Sequence, residues 1–355
     1  MKRSRSNSSS ESVSKQDDGH YQWRIGEIIC EKYTVTGFLG DGTFGRVLEV
    51  KDTDGTKKAI KIIRSVERYV EAAKIEAEII QKLNKSDPEN NSHVVRLFEH
   101  FPLGSNYCLV FEKLGMSLYD VIKMNNYQGF RMTHVQKFAK QLLQTLDFLH
   151  TLGLTHTDLK PENILLVTDQ FEWDEEKHAK YPVNYDIRVI DFGGSTFNDE
   201  HHSSIINTRQ YRAPEVILEL GWDSSSDMWS LACILVEIYT GELVFPTHKD
   251  SEHLAMMRKI LGTIPSWMGR SSSRRFRKYF DRDYRLIFPD GAKESAIRNI
   301  KKLPKLEDLI RRRYDYFLDL IYDLFDYDPS RRPKAREALR YKFFFTDYER
   351  GYNGR

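Results

Sequence analysis

The sequence predicts an α+β fold of two lobes, a small β-rich lobe followed by a larger, mainly helical one. From Tyr33 to Ile63, β-branched and apolar residues flank a glycine-containing turn, as antiparallel strands do. After Ser117, apolar residues recur at helical spacing instead. Because ligand sites favour junctions between such lobes, we expect a crevice near Phe111–Gly115, where the pattern changes.

The chain length of 355 residues suits this organisation. We place the first lobe and its hinge at 33–115 and the second lobe at 116–345. A tail and lead-in occupy 1–32, and a C-terminal tail occupies 346–355. We expect the N-terminal tail to be disordered, because seven of its first fourteen residues are serine and almost none is apolar.

The first lobe is predicted to contain four strands and one helix. The segments YTVTGFLG, GRVLEVKD and KKAIKII predict three successive strands, and YCLVFEKLG predicts a later one. Between them, RYVEAAKIEAEIIQKLN predicts a helix. Its apolar residues at helical spacing are Ala72, Ile75, Ile79, Ile80 and Leu83.

The second lobe is predicted to be built mainly from helices. SLYDVIKMNN predicts a short helix, and THVQKFAKQLLQTLDFLHTLG a long one that opens with Thr133 as its N-cap. NILLV and IRVID predict two short strands. SSSDMWSLACILVEIYTG predicts a buried helix ending at Gly241, and SEHLAMMRKILG and DYFLDLIYDLF predict amphipathic helices.

Composition argues against several classes of protein. The 54 basic and 52 acidic residues give a net charge of +2, which predicts no global attraction to nucleic acid. Cys30, Cys108 and Cys233 are far apart and form no Cys-x-x-Cys pair, which argues against a disulfide framework or zinc site and fits a reducing compartment. The sequence has no run of about 18 apolar residues, as a membrane-spanning helix needs, and its basic N-terminus lacks the apolar segment of a secretory signal.

Gly40, Gly42 and Gly45 form a G-x-G-x-x-G pattern, which is weak by itself. A dinucleotide-binding turn would lead into a helix, whereas RVLEV follows here and favours a strand–loop–strand. Glycines in such a hairpin let the backbone approach an anion and point its N–H groups at phosphate. An ordinary hairpin, in which glycine supplies positive φ angles, is an equally weighted alternative.

Lys61 lies among apolar residues in the segment AIKII. A charged Lys in such surroundings is costly unless it is paired, so it lies either on a solvated edge or in a cleft, where it would hold phosphates and be held by a helix carboxylate. The candidate partners are Glu71, Glu76 and Glu78. Glu76 is favoured because it shares the apolar face of the helix, whereas Glu78 lies nearer the exposed side.

Two later segments carry residues suited to phosphoryl transfer. Asp191 follows an apolar strand and precedes two glycines, where a carboxylate suits Mg²⁺, and Asn163 could supply a second oxygen. Asp158 could then accept a proton from a substrate hydroxyl, and Lys160 could offset phosphate charge. Each residue alone is better explained as a cap or a turn. Five patterns in fixed order change this balance: G-x-G-x-x-G-x-V, A-I-K, H-x-D-x-K-x-x-N, D-F-G and A-P-E.

This ordered set resembles that of eukaryotic protein kinases over about residues 33–345. The resemblance implies a bilobal protein-kinase fold that uses ATP and Mg²⁺. The implied catalytic residues are Asp158, Lys160, Asn163, Lys61, Glu76 and Thr208. The implied metal ligands are Asn163 and Asp191. The implied ATP-binding residues are Leu39, Gly40, Asp41, Gly42, Thr43, Phe44, Gly45, Val47, Ala59, Lys61, Phe111, Glu112, Leu114, Leu165 and Asp191.

The resemblance also implies finer roles. Val47, Ala59 and Leu165 would enclose adenine, Phe111 would be the gatekeeper, and the Glu112 carbonyl and Leu114 amide would be the hinge contacts. Thr208 would bridge Asp158 and Lys160. Glu215 and Arg332 would form a buried ion pair, and Asp227 would brace the catalytic loop. His201 and His202 are adjacent in a polar loop, and we expect both to be solvated.

Among protein kinases the chain resembles the LAMMER, or CDC-like, family. The segment EHLAMMRKILG is close to that family's EHLAMMERILG, although Arg258 and Lys259 replace Glu and Arg. HTDLKPENIL, RYVEAAKIE and HHSSIINTRQYRAPEVILELGW also agree, and the link Thr168 to Asp186 resembles the family's inserted hairpin. DFGGST departs from the family, because Gly194 stands where Ser is common.

Thr157 stands where most protein kinases have Arg, between His156 and Asp158. That Arg usually binds a phosphate on the activation loop, so its absence predicts either a constitutively competent enzyme or an impaired one. The complete set of Lys61, Asp158, Asn163 and Asp191 argues against impairment. Whether Ser203, Ser204 or Tyr211 is autophosphorylated stays open.

The family resemblance implies dual specificity, with Ser and Thr modified on substrates and Tyr by autophosphorylation. It implies Arg/Ser-rich splicing factors as substrates, regulation of pre-mRNA splicing and residence in the nucleus. We expect a monomer with no membrane partner and no direct nucleic-acid binding. A pseudokinase scaffold for Arg/Ser-rich proteins is the main alternative. A small-molecule phosphotransferase is disfavoured by the A-P-E pattern and by Thr208–Tyr211, which suit a peptide.

Two charged surfaces are candidates for contact with a substrate. Glu112, Asp120 and the run at Asp174–Glu176 are candidates for acidic docking of a basic substrate, although charge runs are usually solvated faces. The basic stretch from Arg270 to Phe280 could contact phosphorylated substrate or nucleic acid, but a plain surface loop is favoured.

Overall fold

The structure is a computed structural model and describes residues 19–288 and 291–348. The first eighteen residues, which carry most of the predicted disordered tail, lie outside the described residues, as do 349–355. Among the residues described, no helix is long and apolar enough to cross a membrane.

The chain forms two compact units. The described residues up to Lys74 and Phe98–Phe111 form the first, and Ile75–Leu97 with the described residues from Glu112 onward form the second. The prediction placed the later boundary at 115 and kept 75–97 in the first lobe.

The first unit is dominated by a six-stranded sheet with strand order β1-β2-β3-β4-β6-β5. Neighbours from β1 to β4 pair in antiparallel fashion, which confirms the predicted strands. The strands are β1 (Ile28–Ile29), β2 (Tyr33–Gly42), β3 (Gly45–Lys51), β4 (Lys57–Ile63), β5 (Leu97–Leu103) and β6 (Asn106–Glu112). Alternate residues of the strands point into one buried apolar cluster: Ile29, Tyr33, Val35, Leu48, Val50, Ile60, Ile62, Cys108 and Val110.

The lead-in at 21–32 packs against this sheet, whereas disorder was predicted for the tail that precedes it. The Trp23 ring stacks on Phe38 with centroids 5.9 Å apart, and Arg46 donates to the backbone carbonyl of Tyr21 at 3.0 Å. The backbone of Gly26 donates to Val35 at 2.9 Å. Aromatic and backbone contacts thus order a segment whose composition is mostly polar.

Helix α1 (Glu67–Ser86) confirms the predicted helix, but its buried face differs from the prediction. Ala72 is exposed and Ile75 is 57% exposed. The predicted Ile79, Ile80 and Leu83 are buried, and the buried stripe at intervals of three and four residues is completed by other side chains: Ala73, Glu76 and Ala77. Glu76 is thus buried and Glu78 exposed, as predicted.

The second unit is mainly helical. Its helices are α2 (Leu118–Met124), α3 (Met132–Thr151), α4 (Pro214–Ile217), α5 (Ser225–Thr240), α6 (Asp250–Leu261), α7 (Ser266–Ser271), α8 (Glu294–Lys302), α9 (Leu306–Leu309), α10 (Asp315–Leu324) and α11 (Ala335–Ala338). Helix α5 is buried almost throughout and ends at Gly241, whose φ of 86° favours glycine, as predicted. Helix α3 instead begins one residue before Thr133, and the N-cap is Arg131 without a side-chain cap, so the predicted Thr cap is wrong.

Three antiparallel strand pairs are also present in the second unit, and two of them lie next to predicted functional segments. β7 (Leu154–Thr155) pairs with β12 (Thr196–Phe197), and β8 (Ile164–Leu166) pairs with β11 (Ile187–Val189). The third pair, β9 (Phe171–Asp174) with β10 (Ala179–Pro182), is a hairpin in the predicted insertion.

Candidate active site

The segment between β7 and β8 carries Asp158, whose carboxylate is bound by Lys160 of the same segment and by Thr208 of the activation segment. One carboxylate oxygen of Asp158 accepts from the backbone N–H of Thr208 at 2.9 Å and from its hydroxyl at 2.7 Å. The other accepts from the Lys160 ammonium at 2.6 Å. Lys160 also donates to the Thr208 hydroxyl at 3.1 Å. Thr208 therefore bridges Asp158 and Lys160, as predicted, and the carboxylate is fixed by charge-assisted hydrogen bonds.

Asp227 supports this loop from the first turn of α5 and is fully buried. Its two carboxylate oxygens accept the backbone N–H groups of His156 at 2.9 Å and Thr157 at 3.1 Å. His150 is bound to the same carboxylate at 3.0 Å. The predicted bracing role of Asp227 is confirmed, because a buried carboxylate with these partners fixes the loop backbone.

Thr157 links the catalytic loop to both ends of the activation segment, and its backbone has a φ of 69°. Its hydroxyl donates to the carbonyl of Gly194 at 2.7 Å. Its own carbonyl accepts from the backbone and side-chain amides of Asn207 at 2.8 and 3.0 Å. A Cβ atom at Gly194 would lie 3.1 Å from the Thr157 hydroxyl oxygen. Because Thr157 itself agrees with the family pattern, this contact does not explain the departure at Gly194.

The pairing of β8 with β11 brings the two predicted metal ligands into neighbouring chain segments. Asn163 lies directly before β8, and one residue, Ile190, separates β11 from Asp191. The backbone N–H of Ile190 donates to the Asn163 carbonyl at 3.0 Å. The Asn163 side-chain nitrogen donates to the Asp158 carbonyl at 2.9 Å, which orients the amide. Asp191 is exposed and has a φ of 67°. One carboxylate and one amide oxygen are donors that fit a Mg²⁺ ion whose other ligands are phosphate and water.

The residues after Asp191 are held from two sides. Phe192 is fully buried, with its ring centroid 5.0 Å from that of His156. A Cβ atom at Gly193 would lie 3.8 Å from a carboxylate oxygen of Glu76. Lys61 lies in the first unit and Glu76 in the second, so their pairing stays a prediction.

The glycine segment in the first unit is a hairpin in which Gly42 pairs with Gly45, so the strand–loop–strand prediction is confirmed. None of Gly40, Gly42 and Gly45 has a positive φ, so the explanation by left-handed backbone is wrong. Gly45 is required by close packing instead, because a Cβ atom there would lie 2.2 Å from the carbonyl oxygen of Ile62 on β4. Lys61 is half-buried on β4 opposite Val47.

The other predicted ATP-binding residues are distributed over both units. On the first unit they lie on β2, in the turn, on β3, on β4 and on β6: Leu39, Asp41, Thr43, Phe44, Val47, Ala59 and Phe111. On the second unit they are Glu112, Leu114, Leu165 and Asp191. Their roles in nucleotide binding stay predictions.

The candidate acidic docking residues are already engaged within the chain. The Glu112 carboxylate accepts the backbone N–H of Arg96 at 2.8 Å and lies 3.3 Å from Arg188. Arg131 binds both Asp174 and Glu176. The guanidinium holds the pKa of Asp174 at about 2. Arg131 brings one positive charge to two carboxylates, and the Glu176 side chain is 77% exposed, so the run at Asp174–Glu176 stays a candidate for contact with a basic peptide.

The buried ion pair predicted for the second lobe is present. Arg332 binds both carboxylate oxygens of Glu215, at 2.6 and 2.7 Å, and neither side chain is more than 2% exposed. This bidentate pair ties α4, which follows the activation segment, to the segment before α11.

Two features of the activation segment escaped sequence analysis. The Tyr211 hydroxyl donates to the buried carboxylate of Glu237 at 2.7 Å; burial raises the pKa of Glu237 to about 7. A single Glu inside an otherwise apolar helix was the available signal. The ring of His202 stacks on Trp222 at 4.2 Å, so the prediction that it is solvated is wrong, whereas His201 is exposed.

Comparison with known proteins identifies the family. Residues 33–344 match the protein kinase domain. The chain is 41% identical to dual specificity protein kinase CLK1 of Mus musculus, over 95% of this chain and 71% of that protein. It is 45% identical to serine/threonine-protein kinase AFC3 of Arabidopsis thaliana, over 92% of this chain and 85% of that protein.

The chain belongs to the LAMMER, or CDC-like, family of protein kinases. It is also similar to a crystal structure of a kinase domain, with a TM-score of 0.86 and 39% identity over 92% of this chain and 99% of that one. The predicted protein-kinase fold, with a β-rich N-lobe sheet and a helical C-lobe, is thereby confirmed. This LAMMER kinase is an enzyme of the dual-specificity protein kinase type, and membership of the family implies the use of ATP and a divalent metal.

Proposed function

We propose that this LAMMER kinase transfers the γ-phosphate of ATP to Ser and Thr residues of Arg/Ser-rich proteins such as splicing factors, and to its own Tyr residues. By this reaction it would regulate pre-mRNA splicing, as a monomer in the nucleus. The observation that carries the catalytic part is the convergence of Lys160 and Thr208 on the Asp158 carboxylate. The family resemblance and the Arg-Ser steps Arg3-Ser4 and Arg5-Ser6 support the substrate class.

The catalytic residues have distinct tasks in this proposal. The Asp158 carboxylate accepts the proton of the substrate hydroxyl, and Thr208 holds that carboxylate in position. Lys160 is within reach of both groups and offsets negative charge on the transferred phosphoryl group. Asn163 and Asp191 would hold Mg²⁺, which neutralises phosphate charge when bound.

The enzyme is proposed to be competent without phosphorylation of its activation loop. Neutral hydrogen bonds of Thr157 to Gly194 and Asn207 link the two ends of that segment to the catalytic loop. An Arg at this position would bring a buried positive charge that needs an anionic partner. Because Thr157 is neutral and its bonds are already made, no phosphate is required to hold the segment.

Purified enzyme with Mg²⁺-ATP and an Arg-Ser repeat peptide tests the reaction. We expect turnover by the wild type, and a loss of turnover in Asp191→Ala, with Asp199→Ala as a matched control at another exposed Asp of the same segment. A Lys-Ser repeat of equal charge tests the substrate class, and we expect it to be the poorer substrate because Lys lacks the planar fork of Arg. Equal rates on both peptides would contradict the proposed specificity.

Phosphatase treatment separates constitutive competence from a phosphate-dependent switch. Enzyme freed of phosphate, as verified by mass spectrometry, is expected to keep its initial rate. Loss of nearly all turnover after this treatment would refute the argument from Thr157. A chain that binds Arg/Ser-rich proteins equally well with Lys61→Met and never turns over would instead be a pseudokinase scaffold.

A further inference from the structure

The segment 270–285 carries seven cationic side chains, all exposed to solvent. Only two acidic residues, Asp281 and Asp283, lie within it. We refer to the seven cations as the basic surface: Arg270, Arg274, Arg275, Arg277, Lys278, Arg282 and Arg285. So dense a set of like charges repels itself unless an anion binds.

The backbone beneath the basic surface is anchored in the protein interior. Phe276 and Phe280 are 2% and 8% exposed, and Ser272 is buried. A Cβ atom at Gly269 would lie 2.7 Å from the Phe280 ring, so helix α7 packs tightly on that ring. The cations therefore project from an ordered framework, which lowers the entropy lost on binding.

Most of these cations have no acidic partner among the described residues. Of the seven, Arg275 alone has a carboxylate within salt-bridge distance, that of Glu219 at 3.1 Å. Several others lie against rings of the same segment, as Arg270 does over Tyr284 and Lys278 over Tyr279. These contacts orient the side chains and leave their charge uncompensated.

The basic surface is joined to the end of the activation segment. The backbone of Ser273 donates to the carbonyl of Leu218 at 3.2 Å, and Arg275 binds Glu219. Leu218 and Glu219 directly follow α4, which begins at the proline of A-P-E. A peptide substrate that extends beyond the end of the activation segment can thus contact the basic surface within the same unit.

We propose that the basic surface binds phosphorylated Arg/Ser segments, the product of the reaction proposed above. This inference rests on that proposed function. The unphosphorylated substrate is cationic and is repelled by the basic surface, whereas each added phosphate contributes a dianion that Arg binds in bidentate fashion. The surface therefore retains a substrate after its first phosphates are added and favours modification of further serines on the same chain.

A phosphopeptide fits these observations better than nucleic acid does. Single-stranded nucleic acids are bound by exposed aromatic platforms between cations. Here Phe276 and Phe280 are buried, and the half-buried rings of Tyr279 and Tyr284 are already covered by Lys278 and Arg270. Asp281 and Asp283 add local repulsion of a continuous phosphate backbone. Discrete phosphates spaced by arginines can avoid these two carboxylates.

Binding is tested without ATP, by fluorescence anisotropy with a labelled, chemically phosphorylated Arg-Ser repeat peptide and its unphosphorylated form. The test variant is R274E/R277E/K278E, which changes three exposed residues. We expect tight, salt-sensitive binding of the phosphopeptide to the wild type and at least about tenfold weaker binding to the variant. We expect the variant to phosphorylate a short peptide with one serine at the wild-type rate. On a long repeat, we expect the variant to add fewer phosphates per binding event than the wild type.

A matched control changes the same amount of charge elsewhere. Three exposed lysines on α1, α2 and α3 serve this purpose: Lys85, Lys123 and Lys140, each changed to Glu. Equal weakening by control and test variants, or none by the test variant, would overturn the proposal. So would binding of a single-stranded RNA of equal net charge as tightly as the phosphopeptide.

Two further arms keep the result interpretable. If the Glu variant fails to fold, as judged by circular dichroism, the corresponding Gln variant replaces it and must also weaken binding by at least about threefold. The binding arm uses a peptide that is already phosphorylated. A wild type that binds it but cannot phosphorylate the unmodified repeat would therefore refute the proposed function and leave the surface assignment standing.

Discussion

Substitution of Glu237 by Gln is expected to remove a pH-dependent loss of stability between mildly acidic and mildly basic conditions. Glu237 is 5% exposed near the end of α5, and its carboxylate accepts a hydrogen bond from the Tyr211 hydroxyl at 2.7 Å. Burial, with a smaller contribution from the nearby Glu162, raises the pKa of this carboxyl from 4.5 to about 7. The hydrogen bond from Tyr211 acts in the opposite direction but does not offset the burial.

The magnitude follows from proton linkage. Because the folded protein holds this proton more tightly than the unfolded chain, Glu237 stabilises the fold most at low pH and less as pH rises through about 7. With carboxyl pKa values of 4.5 unfolded and about 7 folded, the contribution falls by about 2 kcal/mol between pH 5.5 and pH 8.5. Gln cannot ionise and can still accept from Tyr211, so Glu237→Gln should lack this fall.

Urea unfolding of the wild type and Glu237→Gln at several pH values measures the difference. All other titrating groups are shared, so the difference between the two curves isolates Glu237. In Tyr211→Phe the hydrogen bond that favours the carboxylate is lost, and the fall should move to higher pH. Parallel stability curves for wild type and Glu237→Gln from pH 5.5 to pH 8.5 would refute the reasoning.

Three other substitutions test the site and its support. Thr208→Ala removes a hydroxyl donor to Asp158, so kcat should fall about 10- to 100-fold while the KM for ATP changes little. Thr208→Ser keeps the hydroxyl and should retain most of the wild-type kcat. Arg332→Ala leaves the buried carboxylate of Glu215 without its partner and should lower the free energy of unfolding by about 3–5 kcal/mol, as measured in urea. Gly45→Ala places a Cβ atom 2.2 Å from a carbonyl oxygen of the neighbouring strand; a loss of about 1–3 kcal/mol is expected in thermal unfolding, and an unchanged midpoint would contradict the packing argument.

The parts of the site that were predicted well are those fixed by chemistry and spacing together. Asp158, Lys160 and Thr208 meet as expected, and Asp227 and Glu215 have the predicted buried roles. Phosphoryl transfer needs particular functional groups, and their ordered recurrence leaves few arrangements that satisfy all of them. Strands and long helices were also predicted correctly, because their apolar periodicity is strong.

The failures concern features that depend on neighbours distant in sequence. Gly45 was explained by backbone freedom, but the close approach of β4 decides it. Ile75 is apolar and at helical spacing, yet it is 57% exposed. Periodicity locates the apolar stripe of a helix but does not show which residues at its margin are covered by neighbouring elements. No element was predicted for the lead-in at 21–32, although one aromatic ring, Trp23, stacks on Phe38 and contributes about 0.5–1.5 kcal/mol beyond its buried area.

The residue that distinguishes this kinase from most others illustrates how far sequence alone can reach. Its sequence showed that Thr157 lacks the charge to bind an activation-loop phosphate, but it could not show what replaces that contact. In the structure, the Gly194 carbonyl accepts a hydrogen bond from the Thr157 hydroxyl, and Asn207 donates to the Thr157 carbonyl. The left-handed φ of 69° directs the carbonyl and the hydroxyl of Thr157 toward different ends of the activation segment. A strained backbone persists only where its surroundings hold it. Asp227 accepts the Thr157 N–H, and Gly194 and Asn207 bind its hydroxyl and carbonyl, so the hydrogen-bonding groups of this residue are satisfied by the protein itself, which is the basis for proposing that no activation-loop phosphate is needed.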